Sequence, residues 1–352
     1  MEDLKTYLQQ AVQLRASDLF LVAGGPTSVK LEGRLRALDG EKLLPPDTNR
    51  LITEIYELAQ RPMDLYMERG DDDFSFSLAG MARFRVNTYR QRGSMAAVIR
   101  VVAFSVPDYK EKGIPEAVMN LADLSHGMVL VTGTAGSGKS TTQACIIDRI
   151  NRNRDCHIIT LEDPIEYLHR NQRSIVSQRE IAIDTQDCLS ALRACLRQAP
   201  DVILLGEMRD TETIHTAMTA AETGHLVIST LHTKGTANAI DRMIDAFPAS
   251  QQMQARVQLA MVLETVIAQQ LIPGQNGELL PVFEILHMNS ATRSLVREGK
   301  THQLAGAIAA GSASGMISMD QSILERYRAG QISKQTALDY ADNPEQLQRR
   351  LV

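Results

Sequence analysis

Residues 131–142 read VTGTAGSGKSTT and contain the spacing G-x-x-x-x-G-K-[ST]. The apolar run GMVLV precedes this motif and an amphipathic helical pattern follows it, which is the setting that such a motif requires. The glycines let the backbone wrap around phosphates with its N–H groups inward, and the helix N-terminus adds the positive end of its dipole. We therefore predict a phosphate-binding loop rather than an ordinary glycine turn. Its binding residues are Gly133, Thr134, Ala135, Gly136, Ser137, Gly138, Lys139, Ser140 and Thr141.

Two residues of this loop have defined roles in that chemistry. Lys139 is expected to reach the β- and γ-phosphates of a nucleotide, and the Ser140 hydroxyl is expected to bind Mg²⁺. The loop by itself predicts a nucleotide site and no particular reaction.

Carboxylates follow two further apolar segments. DVILLGE ends at Glu207, and HIITLEDPIEYLH carries Glu162, Asp163 and Glu166. Side chains at the carboxyl ends of parallel strands line the ligand crevice, where Glu207 can hold Mg²⁺ or orient the attacking water. Several carboxylates near phosphates repel one another without a cation, so they favour bound Mg²⁺ and a general base for water. The alternatives are a solvated strand end at Glu207 and a polar loop at 162–166.

Histidines and arginines form two further candidate groups. His225 and His232 flank the apolar segment LVISTL, at the two ends of one predicted strand, and each has the alternative reading of a structural histidine. Arg83 and Arg85 lie two residues apart on one face of the strand RFRVNTYR, and Arg100 lies on the next strand. Two interpretations of the arginines remain open. They form a solvated basic face, or their guanidinium groups contact a phosphate across a domain or subunit boundary.

Two patterns of elements must position these residues. Residues 1–105 predict a small α+β domain with helices at 4–14 and DTNRLITEIYELA. Its strands are DLFLVAGG, SVKLEGRLRAL, DFSFSL, ARFRVNTYR and AAVIRVVAF. Residues 106–118 are polar with two prolines and are interpreted as a linker. From residue 119, continuous apolar strands alternate with helices, which indicates a parallel sheet covered on both faces. The tail after about residue 236 is predicted to be mainly helical.

Composition excludes several classes of protein. The net charge of −5 argues against bulk affinity for nucleic acid or anionic lipid. No apolar run reaches the roughly 18 residues of a membrane span, and the polar N-terminus lacks a signal-peptide core, so we expect a cytoplasmic location. The four cysteines have no C-x-x-C spacing, which predicts reduced thiols rather than a zinc ribbon. A RecA-like nucleic-acid translocase is disfavoured because the chain has no Trp and only 4% aromatic residues for base stacking.

Together these motifs resemble the secretion ATPase superfamily and, within it, the PilT-type motors that retract type IV pili. GTAGSGKSTT is similar to the Walker A motif, LEDPIEYLH to the aspartate box, DVILLGEMRDTETI to the Walker B motif, and TAAETGHLVISTLHT to the histidine box. RFRVN is similar to the arginine-bearing strand of the N-terminal PAS-like domain. ATRSLVREGK, residues 291–300, resembles the stretch that marks retraction motors, although Thr292 and Ser294 replace the usual isoleucine and asparagine.

The resemblance implies a fold and a set of residue roles. It implies an α/β fold with a PAS-like domain (1–105), a linker (106–118), a RecA-like P-loop NTPase core (119–270) and a mainly helical C-terminal subdomain (271–352). Glu166 matches the catalytic glutamate and Glu207 the Walker B acid. The implied catalytic set is Glu166, Glu207, His232, Arg83, Arg85 and Arg100. His225 is assigned to the nucleotide, and Ser140, Glu162 and Glu207 are assigned to Mg²⁺.

The resemblance also implies partners. A homohexamer is expected to bind ATP between the PAS-like domain of one subunit and the RecA-like domain of its neighbour. The ring would act from the cytoplasmic face of the inner membrane, without inserting into it, on the inner-membrane platform protein and indirectly on the pilin fibre. The alternatives are an accessory retraction paralogue and an extension or type II secretion ATPase, which usually carries a long extra N-terminal region and a tetracysteine insert that this sequence lacks.

Overall fold

The structure is a computed structural model that describes residues 2–31, 33–102 and 106–351. The chain forms two compact units. The first takes in the chain up to residue 105 together with the segment Glu166–Leu168, and the second takes in Val106–Ile165 and the chain from His169 onward. The last two residues of the predicted strand AAVIRVVAF lie outside the described residues.

The first unit is an antiparallel sheet covered on one face by helices. The strand order is β3-β2-β1-β6-β5-β4. Its elements are α1 (Leu4–Gln13), β1 (Asp18–Val22), β2 (Pro26–Leu31), β3 (Arg34–Lys42), α2 (Pro45–Ala59), α3 (Asp64–Arg69), β4 (Asp71–Leu78), β5 (Ala82–Gln91) and β6 (Ser94–Val102).

Alternation along the strands explains why one face of this sheet is buried. In β5 the residues Ala82, Phe84 and Val86 are buried against the helices, whereas Arg83 and Arg85 point to the other face. The segment SVKLEGRLRAL forms two strands, β2 and β3, instead of one. The short helix α3 was not predicted.

The second unit is built on a mostly parallel sheet with the strand order β13-β12-β7-β11-β10-β8-β9, in which only the pairing of β12 with β13 is antiparallel among the described pairs. Its strands are β7 (Gly127–Thr132), β8 (His157–Glu162), β9 (Ile175–Glu180), β10 (Val202–Leu205), β11 (Leu226–Leu231), β12 (Leu263–Pro273) and β13 (Leu279–His287). Its helices are α4 (Glu116–Met119), α5 (Lys139–Asn153), α6 (Cys188–Cys195), α7 (Thr211–Glu222), α8 (Thr236–Asp245), α9 (Gln252–Val262), α10 (Ser290–Arg297), α11 (Leu304–Ala310), α12 (Met319–Arg328), α13 (Lys334–Tyr340) and α14 (Pro344–Gln348).

Helices cover both faces of this sheet, which explains its continuous apolar strands. Apolar side chains of α5 pack with Val129 and Val131 of β7 on one face, and those of α6, α7, α8 and α9 pack with Met128 and Leu130 on the other. β7 is buried along its whole length. The predicted α/β fold class, with a parallel core sheet after a smaller α+β domain, is confirmed.

The prediction of a mainly helical tail after residue 236 missed two strands among the helices. β12 pairs in parallel with β7, and β13 pairs with β12, so both belong to the core sheet. The predicted boundary at residue 270 therefore falls inside a strand, and the helices that pack beyond it begin after β13. The sequence was misread because α9 ends at Val262 and β12 begins at Leu263 with no turn residue between two apolar segments. The remaining domain boundaries stay predictions.

Three further features bear on the sequence expectations. Among the described residues, no helix combines the length and the apolar character needed to span a bilayer. The short helix α4 begins inside the segment interpreted as a linker and ends one residue beyond it. The four cysteines are free thiols, and burial raises the pKa of Cys145 to about 12 and the pKa of Cys188 and Cys195 to about 11, so these three are neutral at physiological pH.

Candidate active site

Four loops leave the core sheet along one edge. Thr132 at the end of β7 lies opposite Leu231 at the end of β11, and Leu205 at the end of β10 lies between Ser229 and Leu161. Because these strands are parallel and in register, the residues that follow them emerge on the same side. That edge carries the phosphate loop after β7, His232 after β11, Glu207 after β10 and Glu162 at the end of β8.

The loop after β7 has a backbone that only glycine accommodates at two positions. A Cβ atom on Gly133 would lie 2.3 Å from the carbonyl oxygen of Gln269, and one on Gly138 would lie 2.8 Å from Nε2 of Gln269. Gly138 also has a left-handed φ of 89° and immediately precedes the first turn of α5. The strand, loop and helix predicted around G-x-x-x-x-G-K-[ST] are therefore present, with the helix N-terminus directed at the loop.

Lys139 holds this loop closed. Its Nζ atom donates hydrogen bonds of 2.9 Å to the carbonyl oxygens of Gly133 and Thr134, and the residue is only 8% exposed. The Ser137 hydroxyl is buried and makes no hydrogen bond within the described part of the chain. A buried ammonium group, an unsatisfied hydroxyl and a helix N-terminus at one loop form a site that fits a phosphate group.

Glu207 lies in a polar cluster beside the loop after β11. Its carboxylate oxygens contact Nε2 of His232 at 3.1 Å and the guanidinium of Arg209. The hydrogen bond to the Glu207 carboxylate raises the pKa of Arg209, and the charge of Asp163 adds to the effect. The structure therefore brings together Glu207 and His232, two separately predicted catalytic residues, and adds Arg209 as a neighbouring cation. The catalytic roles of Glu207 and His232 stay predictions.

Two neutral side chains donate hydrogen bonds to Glu162 on the same edge. Its Oε1 accepts hydrogen bonds from Thr160 at 2.6 Å and from the Gln178 side chain at 3.1 Å. Across residues 2–31, 33–102 and 106–351, no three His, Cys, Asp or Glu side chains gather as a ready metal site. A divalent ion on this edge would accordingly draw its remaining ligands from hydroxyl groups, phosphate oxygens and water.

The general-base candidate Glu166 is exposed and belongs to the first unit, whereas Lys139 and Glu207 belong to the second. Its catalytic role stays a prediction.

His225 is a correction. It precedes β11, and its carbonyl oxygen accepts the N–H of Gly127 at the start of β7, whereas the phosphate loop follows the other end of β7. Six strand residues separate the two ends, a distance of about 20 Å. Its Nδ1 is paired with the Ala220 carbonyl oxygen at 2.9 Å, as expected of a structural histidine. The prediction that His225 binds the nucleotide is therefore wrong for the site of its own chain.

The three arginines form one row on the first unit. Arg85 lies directly opposite Arg100 in the register of β5 and β6, and Arg83 lies two residues away on the same face. Asp73 binds Arg85 through two hydrogen bonds, and Asp18 contacts Arg100 at 3.2 Å. Like charges that lie directly opposite each other destabilise a sheet. Asp73 and Asp18 partly neutralise Arg85 and Arg100 and so make this concentration of positive charge tolerable. The grouping of the arginines is confirmed, and their contact with phosphate stays a prediction.

Two residues of this edge were missed from the sequence. Gln269 was missed because β12 was not predicted, and the only signal was a polar pair in the apolar run VIAQQLI. Arg209 was passed over because it follows Glu207 in a segment interpreted for its carboxylate alone.

Comparison with known proteins agrees with this arrangement. Residues 1–314 match the family described as Type II/IV secretion system protein. The chain belongs to this family. It is 41% identical to the Type IV pilus retractation ATPase PilT of Pseudomonas aeruginosa over 343 residues, which cover 97% of this chain and 99% of the relative. It is also 41% identical to a Twitching motility protein of Neisseria gonorrhoeae, covering 91% of this chain and 85% of that protein.

A solved structure has the same fold. The crystal structure of the pilus retraction motor PilT with bound ADP superimposes with a TM-score of 0.89 at 42% identity and covers 99% of both chains. The predicted membership in the secretion ATPase superfamily, with its P-loop fold, is confirmed.

Proposed function

We propose that this protein is a Mg²⁺-dependent ATPase that powers retraction of type IV pili. The observation that carries the proposal is the closed phosphate loop of Lys139 on the same sheet edge as Glu207 and His232, in a chain similar over nearly its whole length to a pilus retraction ATPase. Nucleotide binding follows from the loop, and coupling to the pilus follows from the relatives.

The residues of the loop and the neighbouring strand ends divide the work of hydrolysis. Backbone N–H groups of 133–141 and the Lys139 ammonium bind the phosphates, which requires Lys139 to exchange its loop carbonyls for phosphate oxygens. The Ser140 hydroxyl, Glu162 and Glu207 are the residues that would hold Mg²⁺, which neutralises phosphate charge when bound. Glu207 and His232 orient water, and Glu166 is the base that takes its proton.

The active unit in this proposal is a homohexameric ring. The row of Arg83, Arg85 and Arg100 supplies cationic charge to an ATP bound by a neighbouring subunit, because facing guanidinium groups are suited to the charge of a transferring phosphoryl group. The ring docks at the cytoplasmic face of the inner membrane on the pilus platform protein. Its movements withdraw pilin subunits from the fibre.

A deletion strain of the organism that carries the gene tests this function. Deletion should leave cells with long, unretracted pili and no twitching motility, as seen by electron microscopy and motility on a surface. The unchanged gene should restore both properties. Lys139→Ala should restore neither, although the purified variant should stay folded and lose ATP turnover. Lys5→Ala, an exposed lysine of α1, is the matched control and should behave as wild type. Loss of pili on deletion would mean extension and overturn the proposal.

A further inference from the structure

Strand β12 extends beyond the phosphate loop that it borders. The pairing of β12 with β7 ends at Ala268 opposite Thr132, and β12 continues to Pro273. Gln269, the next residue, therefore lies alongside Gly133, where the chain of β7 leaves the sheet. β13 pairs with β12 on its other side as far as Pro273, so Gln269 stays in a paired strand beyond the end of β7.

Gln269 contacts both ends of the loop and the helix that follows. Its carbonyl oxygen would lie 2.3 Å from a Cβ on Gly133, and its Nε2 atom would lie 2.8 Å from a Cβ on Gly138. Its Oε1 atom accepts a 2.7 Å hydrogen bond from the Thr142 hydroxyl in the first turn of α5. Gln269 is 3% exposed and Thr142 is fully buried.

These contacts fix the side chain in one orientation. Because Oε1 accepts from Thr142, the amide NH₂ group is the part of the side chain that faces Gly138. A loop rich in glycine has many accessible backbone conformations, and only some of them direct the N–H groups inward. A rigid neighbour that contacts Gly133, Gly138 and Thr142 reduces that freedom before a ligand binds.

We propose that Gln269 is a positioning residue for the phosphate loop. The buried amide locks the start of α5 to β12 through Thr142 and keeps Gly138 in the conformation that receives phosphates, while the main-chain carbonyl of Gln269 borders Gly133. Gln269 does not touch the nucleotide in this role. The proposal rests on the proposed nucleotide site.

The test compares two neighbouring glutamines on one strand. Gln269→Leu removes the amide, and Gln270→Leu makes the same change one residue further, where the side chain points to the opposite face of the sheet. The readouts are the Kd of a fluorescent ADP with Mg²⁺, the ATPase kcat and KM, and the melting temperature without nucleotide. Gln269→Leu should weaken ADP binding on the order of tenfold, the loss expected for a buried hydrogen bond. Gln270→Leu should change ADP affinity less than twofold, at a similar melting temperature.

Thr142→Val provides a second route to the same contact and preserves the test if Gln269→Leu does not fold. It should weaken ADP binding severalfold, and adding Gln269→Leu to it should cost much less than the two single effects combined, because they break one shared hydrogen bond. If Gln269→Leu and Thr142→Val, each tested alone, both bind ADP as tightly as wild type, the proposal is wrong. Equal losses for Gln269→Leu and Gln270→Leu, or full additivity in the double variant, would also overturn it.

The wild-type protein and Lys139→Ala separate this inference from the proposed function. If wild type fails to bind ADP, or Lys139→Ala binds and turns over nucleotide normally, the nucleotide site itself is misassigned. Wild type could bind ADP and lose that binding in Lys139→Ala, while Gln269→Leu and Thr142→Val leave ADP affinity unchanged. In that case only the proposed role of Gln269 is wrong.

Discussion

At the scale of single residues, loss of the Glu207 carboxylate should lower ATP hydrolysis without weakening nucleotide binding. Glu207 contacts His232 and Arg209 just after the end of β10 and is not part of the phosphate loop itself. Its charge matters for holding the metal ion and orienting water, while the phosphates are held mainly by the loop of Lys139. A neutral isostere at this position therefore removes charge from the reacting centre and leaves the binding loop intact.

We expect Glu207→Gln to retain nucleotide affinity and to lower ATP hydrolysis on the order of a hundredfold. Glu166→Gln should do the same if Glu166 is the base. Binding of a fluorescent nucleotide and a phosphate-release assay measure the two quantities on the same preparations. Glu57→Gln makes the same change at an exposed position of α2, far from any proposed site residue in the sequence, and is the matched control that should hydrolyse ATP like wild type. Wild-type hydrolysis rates in both glutamate variants would show that the roles are misassigned.

Residue identities and spacing were enough to predict the phosphate loop, because its chemistry depends on a local motif between a strand and a helix. They also placed Glu207 at the carboxyl end of a parallel strand, where the structure adds His232 because it too follows a strand of the same sheet. His225 failed because it precedes its strand, and strand direction places it at the opposite edge. The pairing of Arg85 with Arg100 depends on strand register, which spacing within each strand does not specify.

At the scale of elements, the junction of α9 and β12 explains why the sequence analysis missed two strands of the core sheet. It also shows what one arginine of the ATRSLVREGK segment does. Arg293 on α10 donates hydrogen bonds to the carbonyl oxygens of Ala260 and Met261 at 2.7 and 2.9 Å, and its other nitrogen contacts Glu264 at 2.8 Å. It therefore satisfies the last carbonyls of α9 where the chain turns directly into a strand. A sequence pattern cannot show this break, because the residue that stabilises it lies about 30 positions further along.

Because of these hydrogen bonds, we expect the two arginines of the ATRSLVREGK segment to contribute differently to stability. Arg293→Ala should lower the free energy of unfolding by about 1–3 kcal/mol, because it leaves half-buried carbonyls and a carboxylate without their donor. Arg297 is exposed in the last turn of α10, and Arg297→Ala should change stability by less than about 0.5 kcal/mol. Urea titration of the two variants measures the difference.

The same pair tests whether α10 couples the motor to the pilus. If the segment has that role, Arg297→Ala should keep its ATPase activity and fail to restore twitching motility in the deletion strain. Equal destabilisation by both substitutions would contradict the capping role of Arg293.

A buried histidine in the segment between β8 and β9 predicts that the fold loses stability in acid. Burial lowers the pKa of His169 to about 4, and the charge of Asp148 opposes the shift only in part. The unfolded chain has a histidine pKa near 6.5 and binds more protons below that pH, so stability is complete above pH 6.5 and decreases as the pH falls toward 4. The main-chain N–H of His169 donates a hydrogen bond to the Gln178 side chain of β9, the outermost strand on that side of the core sheet. The loss of stability in acid therefore acts on this strand.

We expect the contribution of His169 to reduce the free energy of unfolding by about 2 kcal/mol between pH 7 and pH 5. In His169→Gln this part of the pH dependence should disappear, whatever the variant's stability at pH 7. The remaining slope in this range should include His287, whose pKa is also lowered by burial. Melting temperatures across the pH range give the comparison, and an unchanged slope in His169→Gln would rule out the assignment.

At the scale of the whole molecule, the two halves of the predicted chemistry lie in different units of the chain. The arginine row belongs to the first unit, whereas Lys139, Glu207 and His232 belong to the second. Each arginine position could be explained by pairing within its own sheet, yet the direct opposition of Arg85 and Arg100 has no stabilising purpose there. A ring in which each subunit offers this row to its neighbour's nucleotide gives the row a function and makes activity depend on assembly.

Mixing two inactive variants tests this arrangement. Lys139→Ala lacks the phosphate-binding lysine, and Arg85→Ala lacks the arginine that would be donated across the interface. Each should form rings with little ATPase activity. In an equal mixture of exchanging subunits, about one quarter of the interfaces combine an intact lysine with an intact arginine, so activity should return to a similar fraction of wild type.

Arg83→Ala and Arg100→Ala should be mixed in the same way to identify which arginine acts. Arg36→Ala, on the edge strand β3, is the control and should be active alone. Specific activity of the wild type should also rise with protein concentration as rings assemble. A monomer with full activity, or mixtures that stay inactive for all three arginines while each single variant has lost activity, would exclude a site shared between subunits.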